Sequence, residues 1–229
     1  MFAYLLAADG VDAAIVLSGT RLVFEGAKRE TSITAENRSD EPYVVQAWIE
    51  DDSGNTDTPF FVVPAVSRID GRREGLLRVV KVGGGLPSDR ESMYWLNVKE
   101  IPRIDKRDNV LQISVRTRIK LFYRPPGLHQ DKLDTSLLRW SQVRDRHLRT
   151  CSLVLRNDAP FFASFTDLTI KYGDGRRTEL ESGYVAPWSS REFVLPHCDA
   201  DLQVSYSIIN DFGATEERPA VPAAIKTRN

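Results

Sequence analysis

Short runs that alternate apolar and polar residues, separated by clusters of turn-forming residues, recur through most of this chain, and they leave little room for any architecture but an all-β one. Such a run carries the two-residue period of a strand with one buried face, whereas helical spacing would scatter the same residues around a cylinder. The first half holds seven of them: Ile15 to Phe24, broken near Ser18-Gly19, then Thr31 to Ala35, Tyr43 to Ile49, Phe60 to Ile69, Leu76 to Val82, Met93 to Ile101 and Val110 to Tyr123. Asn37-Arg38-Ser39-Asp40-Glu41-Pro42 and Glu50-Asp51-Asp52-Ser53-Gly54-Asn55 are among the turns. Past Pro125-Pro126-Gly127 a second set follows: Leu138 to Val143, Thr150 to Leu155, Phe161 to Tyr172, Arg177 to Leu180, Arg191 to Leu195 and Leu202 to Ile209. Tyr172-Gly173-Asp174-Gly175 reads as a hairpin turn, and Leu133 to Trp140 can also form a helical turn. The tail from Thr215 to Asn229, carrying Pro219 and Pro222, is expected to give at best a frayed edge strand. Evenly spaced strands without long amphipathic helices describe two immunoglobulin-like β-sandwich domains, residues 14–124 and 128–229, joined by a linker at 125–127.

A length of 229 residues suggests one or two domains, either long enough to bury a proper core. A formal net charge of −1 gives it no global field for nucleic acid or an anionic membrane. The basic run Arg139, Arg144, Arg146 and Arg149 reads as a solvated face, since nucleic-acid binding would need aromatics interleaved with cations on one surface, and no nucleic acid is expected. No later stretch is apolar enough for a transmembrane helix, which excludes insertion in a membrane by that route. The opening MFAYLLAADGVDAA resembles the tail of a secretory signal, cut after Ala13, whose basic start is missing; a frayed N-terminal arm of a cytoplasmic protein is the alternative. Of the chain's two cysteines, Cys151 lies in a predicted strand of the second half and Cys198 just before another. In a secreted protein they can form a disulfide across the second sandwich, and otherwise they are two buried thiols.

Catalytic and metal chemistry find no support in the pattern. Gly83-Gly84-Gly85 is not followed by the Lys-Ser/Thr pair or helix of a phosphate loop, and there is no Gly-x-Ser-x-Gly elbow. His129, His147 and His197 have no evident carboxylate or nucleophile partner. A zinc site from His147, Cys151, His197 and Cys198 fails because adjacent strand residues face opposite ways. No enzyme, cofactor or metal is expected.

The most informative stretch is Asn109 to Pro126, NVLQISVRTRIKLFYRPP. Leu111, Ile113 and Val115 alternate with Gln112, Ser114 and Arg116, then Arg118, Lys120 and Arg124 take the polar positions until the prolines end the ladder. An exposed apolar row beside anchored cations is a device for adding a strand to a partner. Leu86-Pro87-Ser88-Asp89-Arg90-Glu91-Ser92, followed by Met93-Tyr94-Trp95-Leu96-Asn97-Val98-Lys99-Glu100-Ile101-Pro102, is a polar turn feeding an alternating strand that stops at proline. Together with Ala47-Trp48-Ile49-Glu50, Asn109-Val110-Leu111-Gln112-Ile113, Ile119 to Pro125 and Ile209-Asn210-Asp211-Phe212-Gly213, it resembles the PapD-like periplasmic chaperones of the chaperone–usher pilus pathway. The resemblance covers nearly all of the chain after the signal-like start.

That resemblance implies two immunoglobulin-like domains at an angle with an interdomain cleft. It implies that the strand from Val110 to Thr117 is donated to a pilin or fimbrial subunit through Leu111, Ile113 and Val115, before delivery to an outer-membrane usher in the periplasm. It places the subunit carboxylate anchor at Arg21 and Lys120, which as isolated residues would read as solvated surface charges. It places an interdomain charge network at Glu91, Arg124 and Asp211. The exposed strand also gives the free protein a route to self-association, and the short connection from Pro102 to Val110 resembles the branch that builds rod-like pili. The positions of Cys151 and Cys198 depart from the usual place of a family disulfide, near the final hairpin. A structural or adhesive two-domain sandwich, whose strand pairs only within itself, is the alternative.

Overall fold

A computed structural model describes residues 14–101, 113–128, 132–145 and 150–228. The described chain is built of strands, with two short 3-10 turns at Pro126–Leu128 and Thr135–Leu137 and no α-helix among the described residues. The strands are β1 (Ile15–Leu17), β2 (Arg21–Glu25), β3 (Glu30–Asn37), β4 (Tyr43–Glu50), β5 (Phe60–Val63), β6 (Val66–Ile69), β7 (Glu74–Lys81), β8 (Ser92–Ile101) and β9 (Arg116–Arg124). They continue as β10 (Leu138–Asp145), β11 (Thr150–Asn157), β12 (Ala163–Lys171), β13 (Arg177–Glu179), β14 (Gly183–Val185), β15 (Ser190–Leu195), β16 (Gln203–Ile209), β17 (Thr215–Pro222) and β18 (Ala224–Arg228).

The first compact unit comprises the chain up to Ser18, Glu30–Gly83 and Trp95–Ile119. One of its sheets runs β1-β3-β7-β5, and in the other β4 lies between β6 and β8. Their inner faces carry Ile33, Ala35, Val45, Ile49, Val62, Leu77, Val79 and Leu96, all buried. The strand alternation of the sequence is the cause, because every second residue of β3, β4 and β7 points inward.

The second unit comprises Gly19–Arg29, Gly84–Tyr94 and the chain from Lys120 onward. Its sheets run β15-β11-β10-β18 and β13-β12-β16-β17, with β14 also paired to β12. Trp140, Leu153, Phe165, Ile170, Phe193 and Tyr206 are packed in one buried cluster between them. Cys151 of β11 is disulfide-bonded to Cys198, with Cα atoms 5.4 Å apart.

The two units repeat one local device. Asn37 ends β3 and Asn157 ends β11, and both are fully buried. Asn37 Nδ2 donates to the Glu41 carbonyl at 2.8 Å while its Oδ1 accepts from Ser39 N at 3.0 Å. Asn157 Nδ2 donates to the Phe161 carbonyl at 2.7 Å and its Oδ1 accepts from Ala159 N at 3.0 Å. A buried amide thereby satisfies backbone groups that a loop leaves unpaired.

Three local expectations change. The run from Ile15 to Phe24 is two strands in different sheets, since β1 pairs antiparallel with β3 whereas β2 pairs parallel with β9. The run from Phe60 to Ile69 also divides, at Pro64, which cannot donate to a ladder, and β5 pairs with β7 while β6 pairs with β4. The tail is more ordered than a frayed strand. β17 pairs antiparallel with β16 and β18 parallel with β10. Its prolines are tolerated because both strands are outermost in their sheets and the β16–β17 register shifts near Pro219.

Candidate strand-donor and anion-anchoring site

β2 and β9 bring the two expected anchor cations together. Their parallel register makes Arg21 the partner of Lys120, so both project from the same face of the ladder. Arg21 Nη1 donates to the Ile209 carbonyl at 2.9 Å, and its guanidinium sits 5.6 Å from the centre of the Phe122 ring. Burial pulls its pKa below the usual arginine value, against the opposing pull of Asp211 and Glu91. Lys120 Nζ lies 3.1 Å from Ser164 Oγ and 4.6 Å from the Tyr184 ring centre. Two cations partly stripped of water suit an anionic partner.

Just upstream lies the expected donor row. Ile113 is 52% exposed and Val115 is half-buried, while Leu111 lies outside the described residues. Val110 and Gln112 also lie outside the described residues; from residue 113 on, the regular strand begins at Arg116, yet residues 113–115 still follow β8: Ser114 Oγ donates to the Glu100 carbonyl at 2.6 Å, and Glu100 N donates to the Val115 carbonyl at 2.9 Å. β8 flanks β9 on one side, and on the other β2 pairs only with Lys120–Arg124. Among the described residues no strand pairs with Ile113–Ile119 on that side. An unpaired edge is a template for another chain.

A layer that the sequence reading did not single out pins this edge. Trp48 and Glu50 of β4, Trp95 and Asn97 of β8, and Arg116 and Arg118 of β9 meet on one face. Arg116 Nη2 reaches Glu50 Oε1 at 2.8 Å and Asn97 Oδ1 at 2.6 Å, and Arg118 Nη2 lies 3.0 Å from Glu50 Oε1. The Arg116 guanidinium stands 4.9 Å from the Trp48 ring centre and that of Arg118 4.0 Å from Trp95. Alternation put Trp48 with Glu50 and Arg116 with Arg118 on common faces, but their convergence depends on the order of three strands.

The expected charge network assembles inside the second unit. Arg124 Nε and Nη2 donate to Glu91 Oε1 at 2.9 and 2.8 Å, and Nη1 and Nη2 donate to Asp211 at 2.9 and 3.0 Å. Glu91 Oε2 accepts from Phe162 N at 2.9 Å. Desolvation raises the Glu91 pKa, with Arg124 and the Phe162 N–H pulling the other way. For Arg124 burial lowers the pKa, but its hydrogen bond to Asp211 and the Glu91 charge outweigh it and raise the value. The network ties the end of β9 to the segment before β8 and to the β16–β17 turn.

No group of His, Cys, Asp and Glu among the described residues could hold a metal ion. Fold and site together define a protein of β-sandwiches in which, among the described residues, part of β9 has an open strand edge and Arg21 and Lys120 are paired on β2 and β9. The chain matches the Pili and flagellar-assembly chaperone, PapD N-terminal domain, over residues 14–129 and the Pili assembly chaperone PapD, C-terminal domain, over residues 135–220. It belongs to the PapD-like family of pilus-assembly chaperones, which are not enzymes. It is 36% identical to the chaperone protein LpfB of Salmonella typhimurium over 214 residues, covering 91% of this chain and 89% of that one. Identity to the chaperone protein FimC of Escherichia coli K12 is 34% over 219 residues, or 93% and 86% of the two chains. The crystal structure of the YadV chaperone superposes with a TM-score of 0.78 at 32% identity, covering 92% of this chain and 100% of that one.

Proposed function

We propose that this protein is a periplasmic chaperone that binds pilin or fimbrial subunits, completes their fold with its own strand from Val110 to Thr117, and delivers them to an outer-membrane usher. The observation that carries the proposal lies in β9, where an edge with no partner strand among the described residues runs into Lys120, the register partner of Arg21. A subunit whose sheet lacks a strand would pair its backbone with that edge and bury Ile113 and Val115, together with Leu111. Each such side chain is worth about 1.5–3 kcal/mol in transfer terms before ordering costs. Its C-terminal carboxylate would take hydrogen bonds from Arg21 and Lys120, each worth about 1.5–3 kcal/mol as a charge-assisted bond. That contact sets register, because it fixes where pairing along the edge begins. The bonded Cys151–Cys198 pair supports an oxidising compartment.

The test is recovery of a subunit complex from cells co-expressing the subunit and either the native protein or the Arg21→Ala, Lys120→Ala double variant. The variant should fold, by its circular dichroism and melting, and should yield no complex. Normal complex yield from the folded variant refutes the carboxylate anchor.

A further inference from the structure

Arg21 also walls a cavity of about 350 Å³ in the second unit. Phe122, Phe161, Phe162, Leu133, Ile208 and Phe212 give it apolar sides. Its charges are not balanced: Arg21, Arg124, Lys132 and Arg218 face three carboxylates, Glu91, Asp211 and Glu216. All three carboxylates are engaged, Glu91 and Asp211 by Arg124 and Glu216 by Arg218 Nη2 at 2.7 Å and Asn210 Nδ2 at 2.8 Å. Meanwhile Arg21 Nε and Arg218 Nε are buried and make no hydrogen bond. A buried guanidinium N–H without an acceptor is costly, and it favours an incoming anion.

Phe212 adds a second observation. It is 90% exposed at the β16–β17 turn, although that turn is rigidly built: Asn210 Oδ1 accepts from Phe212 N and Ala214 N at 3.0 Å each, and Gly213 adopts φ +83 as side-chain-bearing residues rarely do. A tightly held turn that keeps an aromatic ring in water beside an apolar cavity points to a ring that closes over something.

We propose that this cavity receives the side chain of the last residue of the bound subunit, and that it selects a large apolar or aromatic one. The proposal rests on the carboxylate-anchor reading. With the terminal carboxylate at Arg21, the adjoining side chain lies beside the apolar wall of this cavity, because Arg21 lines it together with Phe122, Phe162 and Ile208. The cavity thus discriminates among chain ends where the anchor alone would accept any.

The test titrates the full-length protein, by NMR, with three synthetic hexapeptides of one sequence that end in Phe acid, Gly acid and Phe amide. Burial of an aromatic side chain predicts that Phe acid binds about tenfold or more tightly than Gly acid. It should shift the Ile208 methyl and Phe212 signals. Phe212→Ala, a change at an exposed position, should remove most of that preference. Equal binding of Phe acid and Gly acid, both above Phe amide, overturns the cavity proposal and leaves the anchor standing. Equal binding of Phe acid and Phe amide overturns the anchor reading and the proposal with it, and no binding of Phe acid overturns the proposal.

Discussion

Glu91 shows how a single buried side chain can be held by its neighbours and still titrate unusually. Its carboxylate is 5% exposed and receives two hydrogen bonds from Arg124 and one from Phe162 N. Desolvation nonetheless raises its pKa above the ordinary 4.5. From pH 4.5 up to the raised value, the folded state keeps a proton that the unfolded state has lost. Stability from this group therefore falls as pH rises through that window, and below it the group contributes its full stabilisation. Urea midpoints of the native protein and Glu91→Gln, measured at closely spaced pH values upward from 4.5, should diverge in that direction; a constant difference contradicts the raised pKa. Arg124→Ala should be far more damaging, by about 3–5 kcal/mol, since it strands a buried carboxylate. Sequence patterns alone do not show any of this. Glu91, Arg124 and Asp211 are single charges in three distant segments, and only resemblance to a family grouped them. Arg21 and Lys120 were hidden in the same way, because a parallel pairing between distant strands leaves no trace in local alternation.

At the level of strands, most of the fold was legible because apolar alternation and turn residues are local. The runs at Tyr43 to Ile49 and Met93 to Ile101 became β4 and β8 nearly to the residue. What was not legible is where a strand changes sheet. Ser18-Gly19-Thr20 and Pro64 interrupt continuous apolar runs, and the partner on either side is set by tertiary pairing. β14 was missed because three residues that include Gly183 carry no periodicity, and it exists through its pairing with Ala163–Phe165. The same logic applies to the edge of β9. Arg116 and Arg118 are fixed against Trp48, Trp95 and Glu50, so the open side of Ile113–Ile119 is presented in a set conformation. Preorganisation of that kind reduces the ordering cost of adding a strand. Ile113→Asp puts a charge at an exposed site, so the free protein should melt as the native one does. Its complex with a subunit should be weakened about tenfold or more, since a buried Ile is lost and a carboxylate is desolvated. Unchanged affinity in a direct titration would show that Ile113 is not buried by the subunit.

For the whole molecule, composition excluded more than it identified. A near-neutral charge gave no global field for nucleic acid or an anionic membrane, and recurrent short strands made the chain all-β. The matched family then gave the class of protein, and the proposed strand donation rests on the open edge of β9 and the Arg21–Lys120 register. Amide hydrogen exchange of the free protein and of its purified subunit complex tests that account most directly. Backbone amides within Ile113–Ile119 should gain strong protection on binding, while those of Leu121–Arg124, already beside β2, change little. An intact complex in which exchange across Ile113–Ile119 stays as fast as in the free protein would contradict strand donation.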